Sequence, residues 1–177
     1  MKQTGSATCA DCRYWEKSSY RSVLEKNVSL YGYESFMQDY IARWKYRGDY
    51  VLGKVFEADF KKLYQQYFHD SKYVAVPIPL SAERMAERGF NQALELADFT
   101  GAKKKEVLGR RHGEKQSKRS RLHRLTADNP FYLLAEPPEY AVLIDDIYTT
   151  GTTLRHAARM MKENGSVYVA ACTLIRG

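Results

Sequence analysis

The stretch Val142-Leu143-Ile144-Asp145-Asp146-Ile147-Tyr148-Thr149-Thr150-Gly151-Thr152-Thr153 constrains the fold of this chain more than any other. An apolar run from Tyr140 to Ile144 ends in two adjacent carboxylates. A hydroxyl-rich loop centred on Gly151 follows, and then a helical pattern from Leu154 to Lys162. A short apolar run before a turn reads as a buried parallel strand. Ligands of open α/β sheets sit beyond the carboxyl ends of such strands. The helix start presents unpaired N–H groups and the positive end of its dipole, which favours a phosphate. Gly151 lets the backbone approach that anion, and the hydroxyls of Thr149, Thr150, Thr152 and Thr153 can donate to it. Asp145 and Asp146 cannot hold a phosphate; they can accept from ribose hydroxyls or help hold a magnesium ion. The string therefore suits a ribose 5-phosphate. The plainer alternative is a strand–turn–helix in which one Asp caps the helix.

The rest of the chain reads as further strands and helices. Val28 to Tyr33 is a short strand or a hairpin arm. Glu34 to Tyr46 is an amphipathic helix with Phe36, Tyr40, Ile41 and Trp44 at helical spacing. Gly48 breaks it, and Asp49 can cap a second helix running to about Phe68, with Val51, Leu52, Val55, Phe56, Phe60, Leu63 and Tyr67 on its apolar face. Tyr73 to Val76 is a strand stopped by Pro77-Ile78-Pro79. Ser81 caps a short helix whose Arg84 and Arg88 share one face, Gly89 ends it, and Asn91 to Phe99 forms another. Glu106 to Leu108 and Val167 to Ile175 read as strands, and Gly109 to Asp128 as a loop with a helical turn near Arg121 to Ala127. Alternating strands and helices imply an α/β fold, a parallel sheet flanked by helices with right-handed crossovers.

The 142–153 string resembles the phosphoribosyl-pyrophosphate (PRPP) motif of type I phosphoribosyltransferases. A second block, Val76-Pro77-Ile78-Pro79-Leu80-Ser81 with Arg84 and Arg88-Gly89-Phe90-Asn91-Gln92, resembles the signature of the ComF family of competence-associated proteins. Lys45-Tyr46-Arg47-Gly48, Gln116 and Asn129-x-Phe131 match shorter elements of that family. The resemblance runs from about residue 8 to residue 176. It implies a phosphoribosyltransferase-like sheet over 28–177, with an N-terminal helical hood region, and a remnant of a zinc module over 1–27. It implies Asp145 and Asp146 for ribose and magnesium, Thr149 to Thr153 for the 5-phosphate, and Arg84 and Arg88 for pyrophosphate. The implied chemistry is displacement of pyrophosphate from ribose C1, with the acceptor and the catalytic residues unassigned. Some purine enzymes of the superfamily place an Asp where this chain has Thr149, which argues against a hypoxanthine-guanine reaction.

Cys9-Ala10-Asp11-Cys12 is half of a zinc site, since a tetrahedral structural site needs four ligands. The resemblance makes Cys9 and Cys12 the second pair of a four-cysteine module. Cys172, the third cysteine, lies in an apolar run and reads as a buried thiol. The expectation is weak zinc binding or none. Three cysteines make no disulfide framework, and no run approaches the roughly 20 apolar residues of a membrane span. The short polar N-terminus has no apolar h-region, so the default location is cytoplasmic.

The net charge of +7 is unevenly spread. Lys103 to Arg124 holds ten Lys or Arg against two Glu, a local +8 that leaves −1 elsewhere. Such a run is commonly a solvated face, and it also suits pyrophosphate or a nucleic-acid backbone. Lys118, Arg119, Arg121 and Arg124 are its candidates for a lid or for single-stranded DNA. Three functions follow: an active phosphoribosyltransferase; a non-catalytic accessory protein that binds single-stranded DNA or a competence helicase (ComFA-like); or a PRPP-responsive regulator.

Overall fold

The computed structural model describes residues 10–46, 50–111 and 128–177. Four parallel strands form the main sheet: β1 (Asn27–Gly32), β2 (Val74–Pro77), β5 (Tyr140–Tyr148) and β6 (Tyr168–Arg176), in the spatial order β1-β6-β5-β2. A separate antiparallel ribbon pairs β3 (Leu108–Arg110) with β4 (Phe131–Leu133). The helices are α1 (Ala10–Lys17), α2 (Ser35–Tyr46), α3 (Glu57–Tyr67), α4 (Ala82–Arg88), α5 (Gln92–Phe99) and α6 (Thr152–Lys162), with a 3-10 helix at Tyr50–Phe56. The expected parallel sheet flanked by helices is therefore what the chain builds. Among the described residues no helix is long and apolar enough to cross a membrane.

Both sheet faces are covered, which explains the unbroken apolar run of β5. Val142 and Ile144 face a core built with α2, α3 and α5, through Ile41, Trp44, Phe60 and Leu96. Ala141 and Leu143 face a second core with Leu154, Ala158 and Met161 of α6, and with Leu108 and Phe131 of the ribbon. Leu24 belongs to that second core, so residues ahead of β1 pack onto the sheet body.

Several boundaries differ from the sequence reading. β5 does not stop at Ile144 but continues through both aspartates to Tyr148. The buried face of α2 is Met37, Ile41 and Trp44, at i, i+4 and i+7, while Phe36 is 72% exposed. Residues 50–56 adopt 3-10 geometry, whose tighter turn displaces side chains from α-helical spacing. Val51 and Val55 accordingly face solvent, whereas Phe56 is buried. The strand expected at Glu106–Leu108 is β3, two residues later. α1 was not anticipated. Gly48, Asp49 and the helical turn near 121–127 lie outside the described residues.

The short caps formed as expected. Ser81 accepts from the Arg84 amide at 3.5 Å, and Gly89 closes α4 with φ +77°. The Asn91 side chain accepts from the Ala93 amide at 3.0 Å and donates to the Ile78 carbonyl at 3.0 Å, tying the start of α5 to the loop after β2.

A carboxylate sits inside the first core. Glu95 of α5 is 2% exposed and accepts from the Trp44 indole at 3.2 Å. Among the described residues its Oε1 has no hydrogen-bond partner, and the carboxylate fills the space that a Cβ on Gly53 of the 3-10 helix would need. Burial raises its pKa from 4.5 to about 7, against the hydrogen bond from Trp44 and the charge of Lys54, and with the charge of Asp98. The folded value lies above the unfolded one. Stability from this group is therefore full below about 4.5 and is lost as pH rises through about 7. Replacing Glu95 with Gln is expected to stabilise the protein at pH 8 relative to pH 5 by about 1–2 kcal/mol, less than full linkage because solvent screens part of the charge. Urea unfolding of wild type and Glu95→Gln at both pH values measures this, and the difference between the two proteins cancels the opposite contribution of buried His156, whose pKa burial lowers to about 4.

Candidate functional site

A cleft of about 270 Å³ opens at the carboxyl ends of β2 and β5. Asp145, Asp146, Thr149 to Thr153, Arg84 and Arg88 all line it. Residues separated by some 60 positions in sequence thus meet because β2 and β5 are neighbours and each is followed by a loop on the same side.

The aspartates line the cleft from within β5. Lys45 of α2 pairs with Asp146 at 2.5 Å, and both side chains are 13% exposed. The Asp146 amide donates to Asp145 Oδ1 at 2.9 Å. Burial first, and the neighbouring Asp146 carboxylate second, hold the Asp145 carboxyl above the usual carboxylate range; the Asp146 amide, Lys45 and Arg110 oppose this. Two carboxylates are a fitting donor set for magnesium, which takes one or two from protein and completes its shell with water and ligand phosphates. Among the described residues no group of three or more His, Cys, Asp or Glu gathers at one point, so any such ion would be shared with a ligand.

The loop beyond β5 turns at a glycine that no other residue could replace without strain. Gly151 has φ +78°, in the left-handed region. A Cβ there would collide with the Tyr148 hydroxyl and lie 2.7 Å from its ring. Thr150 and Thr152 hydroxyls are 2.9 Å apart, and no side chain caps the start of α6. Thr149 is exposed, Thr150 is buried, and Thr152 and Thr153 are half-buried.

Positive charge lines the same cleft. Arg88 Nη1 donates to Gln92 Oε1 at 3.0 Å, which fixes the guanidinium against the buried start of α5. Arg110 of β3, which sequence reasoning did not single out, also lines the cleft and stacks over Phe131 at 5.4 Å. Burial first, then Arg84, lower its pKa, while Asp145 raises it. The described part of the basic segment, 103–111, is therefore not one surface. Lys104 pairs with Asp98 and Lys103 to Lys105 run beside β2, whereas Arg110 enters the site. Gln116, Lys118, Arg119, Arg121 and Arg124 lie outside the described residues, as does Cys9. Cys12 sits half-buried on α1, and Cys172 is buried in β6, where burial pushes its thiol pKa up.

Asn129 serves the scaffold. Its side chain donates to the His156 carbonyl at 2.9 Å and accepts from the Phe131 amide at 3.0 Å, joining β4 to α6. Trp15 of α1 was also missed. It is buried, and its indole donates to the Thr150 carbonyl at 2.6 Å.

Comparison with known proteins gives two relatives similar over nearly the whole chain. The competence protein ComFC of Bacillus subtilis (strain 168) is 40% identical over 178 residues, spanning 98% of this chain and 74% of the relative. The competence protein ComFC of Streptococcus pneumoniae (strain ATCC BAA-255 / R6) is 34% identical over 178 residues, spanning 99% and 78%. No family model matches the chain. Similar solved structures include a hypoxanthine phosphoribosyltransferase from Staphylococcus aureus, at 20% identity and TM-score 0.44 over 70% of this chain and 64% of that one. A purine phosphoribosyltransferase from Pyrococcus horikoshii Ot3 follows at 13% identity and TM-score 0.32, over 85% and 87%. Likeness of that extent does not bear on substrate.

Proposed function

Since this chain belongs to the ComFC family of competence proteins, we propose that it binds PRPP or ribose 5-phosphate with magnesium, and that this binding serves natural competence. The observation that carries the reading is the single cleft in which two carboxylates, a glycine-hinged hydroxyl loop at a helix start, and three arginines converge. Each group matches one part of the ligand. Asp145 and Asp146 accept from ribose hydroxyls. The loop Thr149–Thr153 and the start of α6 take the 5-phosphate. Arg84, Arg88 and Arg110 take the pyrophosphate, for which planar guanidiniums are suited.

Such an arrangement favours displacement of pyrophosphate from ribose C1 by an acceptor nucleophile, which forms the new bond to C1 as the pyrophosphate oxygen leaves; the protein contributes positioning and charge, not a nucleophile. Asp145 and Asp146 would hold magnesium together with the ligand, and the ion would then neutralise charge on the leaving pyrophosphate. Thr149 stands exposed in the loop, so no carboxylate at that position serves a purine. A thermal-shift titration tests the reading. Saturation at about 100 times the dissociation constant adds about 2.7 kcal/mol, which raises the melting temperature by about 5–10 °C in a domain of this size. PRPP with magnesium should give that rise, and PRPP with a chelator should give much less. A melting temperature unmoved by saturating PRPP and magnesium would refute it.

A further inference from the structure

The peptide joining Thr150 to Gly151 is held from outside the cleft. Trp15, 1% exposed, donates its indole N–H to the Thr150 carbonyl at 2.6 Å across 135 residues of sequence. The Arg155 guanidinium lies over the Trp15 ring, 5.3 Å from its centroid, and Tyr14 and Tyr20 meet the ring edge-on. Trp15 is thus fixed on several sides, and so is the carbonyl it holds.

The described backbone has no cis peptide. In a trans peptide the carbonyl and the following N–H point in opposite directions. Anchoring Thr150 O on Trp15 therefore turns the Gly151 N–H away from Trp15, to the side where Gly151 and Thr152 line the cleft and Trp15 does not. Gly151 is the residue at which this orientation is otherwise least secure, because glycine lets the adjoining peptide rotate at little cost. No side chain caps that end of α6.

We propose that Trp15 is a positioning residue for the phosphate subsite: it pins the 150–151 peptide so that the Gly151 N–H faces a sugar phosphate in the cleft. The inference rests on the phosphoribosyl reading above. It makes the segment ahead of β1 part of the ligand site, through one hydrogen bond rather than through direct contact. It also separates the two anion subsites, because Trp15 bears on the 150–151 peptide, whereas Arg88 is held by Gln92 and Arg110 by stacking on Phe131.

The test compares two probes by calorimetry in magnesium, ribose 5-phosphate and inorganic pyrophosphate, on wild type and Trp15→Phe. Phe keeps an aromatic face beneath Arg155 and removes the donor; the ring volume it also removes leaves a cavity whose cost would fall on both probes. Loss of one hydrogen bond is expected to weaken ribose 5-phosphate about three- to tenfold and to leave pyrophosphate unchanged. A loosened fold would weaken both. Wild type supplies a second reading that needs no variant. Coupling is reciprocal, so saturating ribose 5-phosphate should slow hydrogen exchange at the Trp15 indole about three- to tenfold, and pyrophosphate should not. Should Trp15→Phe fail to fold, that exchange measurement decides. Unchanged ribose 5-phosphate affinity in Trp15→Phe, equal loss of both probes, or indole exchange indifferent to ribose 5-phosphate would each overturn the inference while leaving the proposed function in place. Failure of wild type to bind either ribose 5-phosphate or PRPP would overturn the proposed function, and this inference with it.

Discussion

Converting both β5 carboxylates to amides, Asp145→Asn with Asp146→Asn, is expected to weaken PRPP binding by about two orders of magnitude or more. Each lost hydrogen bond to a charged group is worth about 1.5–3 kcal/mol, and tenfold is about 1.4 kcal/mol. The fold should survive the change. Asparagine at 145 removes a carboxylate that burial disfavours, which offsets loss of the Lys45–Asp146 pair. The sign of a second measurement separates site chemistry from damage. With two negative charges gone from the cleft, inorganic pyrophosphate without magnesium should bind at least as tightly as to wild type. Parallel loss of both ligands would indicate a disturbed cleft instead.

Removing positive charge should have the converse effect. Arg84→Ala with Arg110→Ala is expected to weaken pyrophosphate by at least about tenfold, since each guanidinium contributes a charge-assisted contact. Ribose 5-phosphate should lose far less. Arg110 is the more informative of the two, because its charge also favours the ionised form of Asp145. Its removal should raise the Asp145 pKa further, shifting the pH dependence of ribose 5-phosphate binding upward. Equal loss of ribose 5-phosphate and pyrophosphate in the double variant would contradict the division of the cleft into two anion subsites.

Much of this site could be read before any coordinates. The run into Asp145 and Asp146, and the loop Thr149–Thr153 opening α6, are local patterns whose meaning depends on residues next to one another. Ser81 and Gly89 are likewise local, because a cap is decided within one turn. What sequence did not disclose depends on distant partners. The aspartates looked like a strand end because charge inside a strand is costly. Lys45 and Arg110 relieve that cost, and neither is near them in the chain. Arg110 was one of ten cations in a basic segment, and only pairing of β3 with β4 singles it out. Trp15 stood beside a cysteine pair that drew attention to metal, while its hydrogen bond spans 135 residues. Phe36, Val51 and Val55 were misjudged for a different reason. Helical spacing identifies a stripe, but a one-residue rotation of α2 and a 3-10 turn decide which side chains the core receives.

Calorimetric titration of the wild-type protein with PRPP, run with magnesium and again with a chelator, tests the reading of the cleft most directly. One saturable site per chain with magnesium, and a large loss of affinity without it, is the predicted result. No saturable heat under either condition, or the same affinity whether or not magnesium is present, would contradict it.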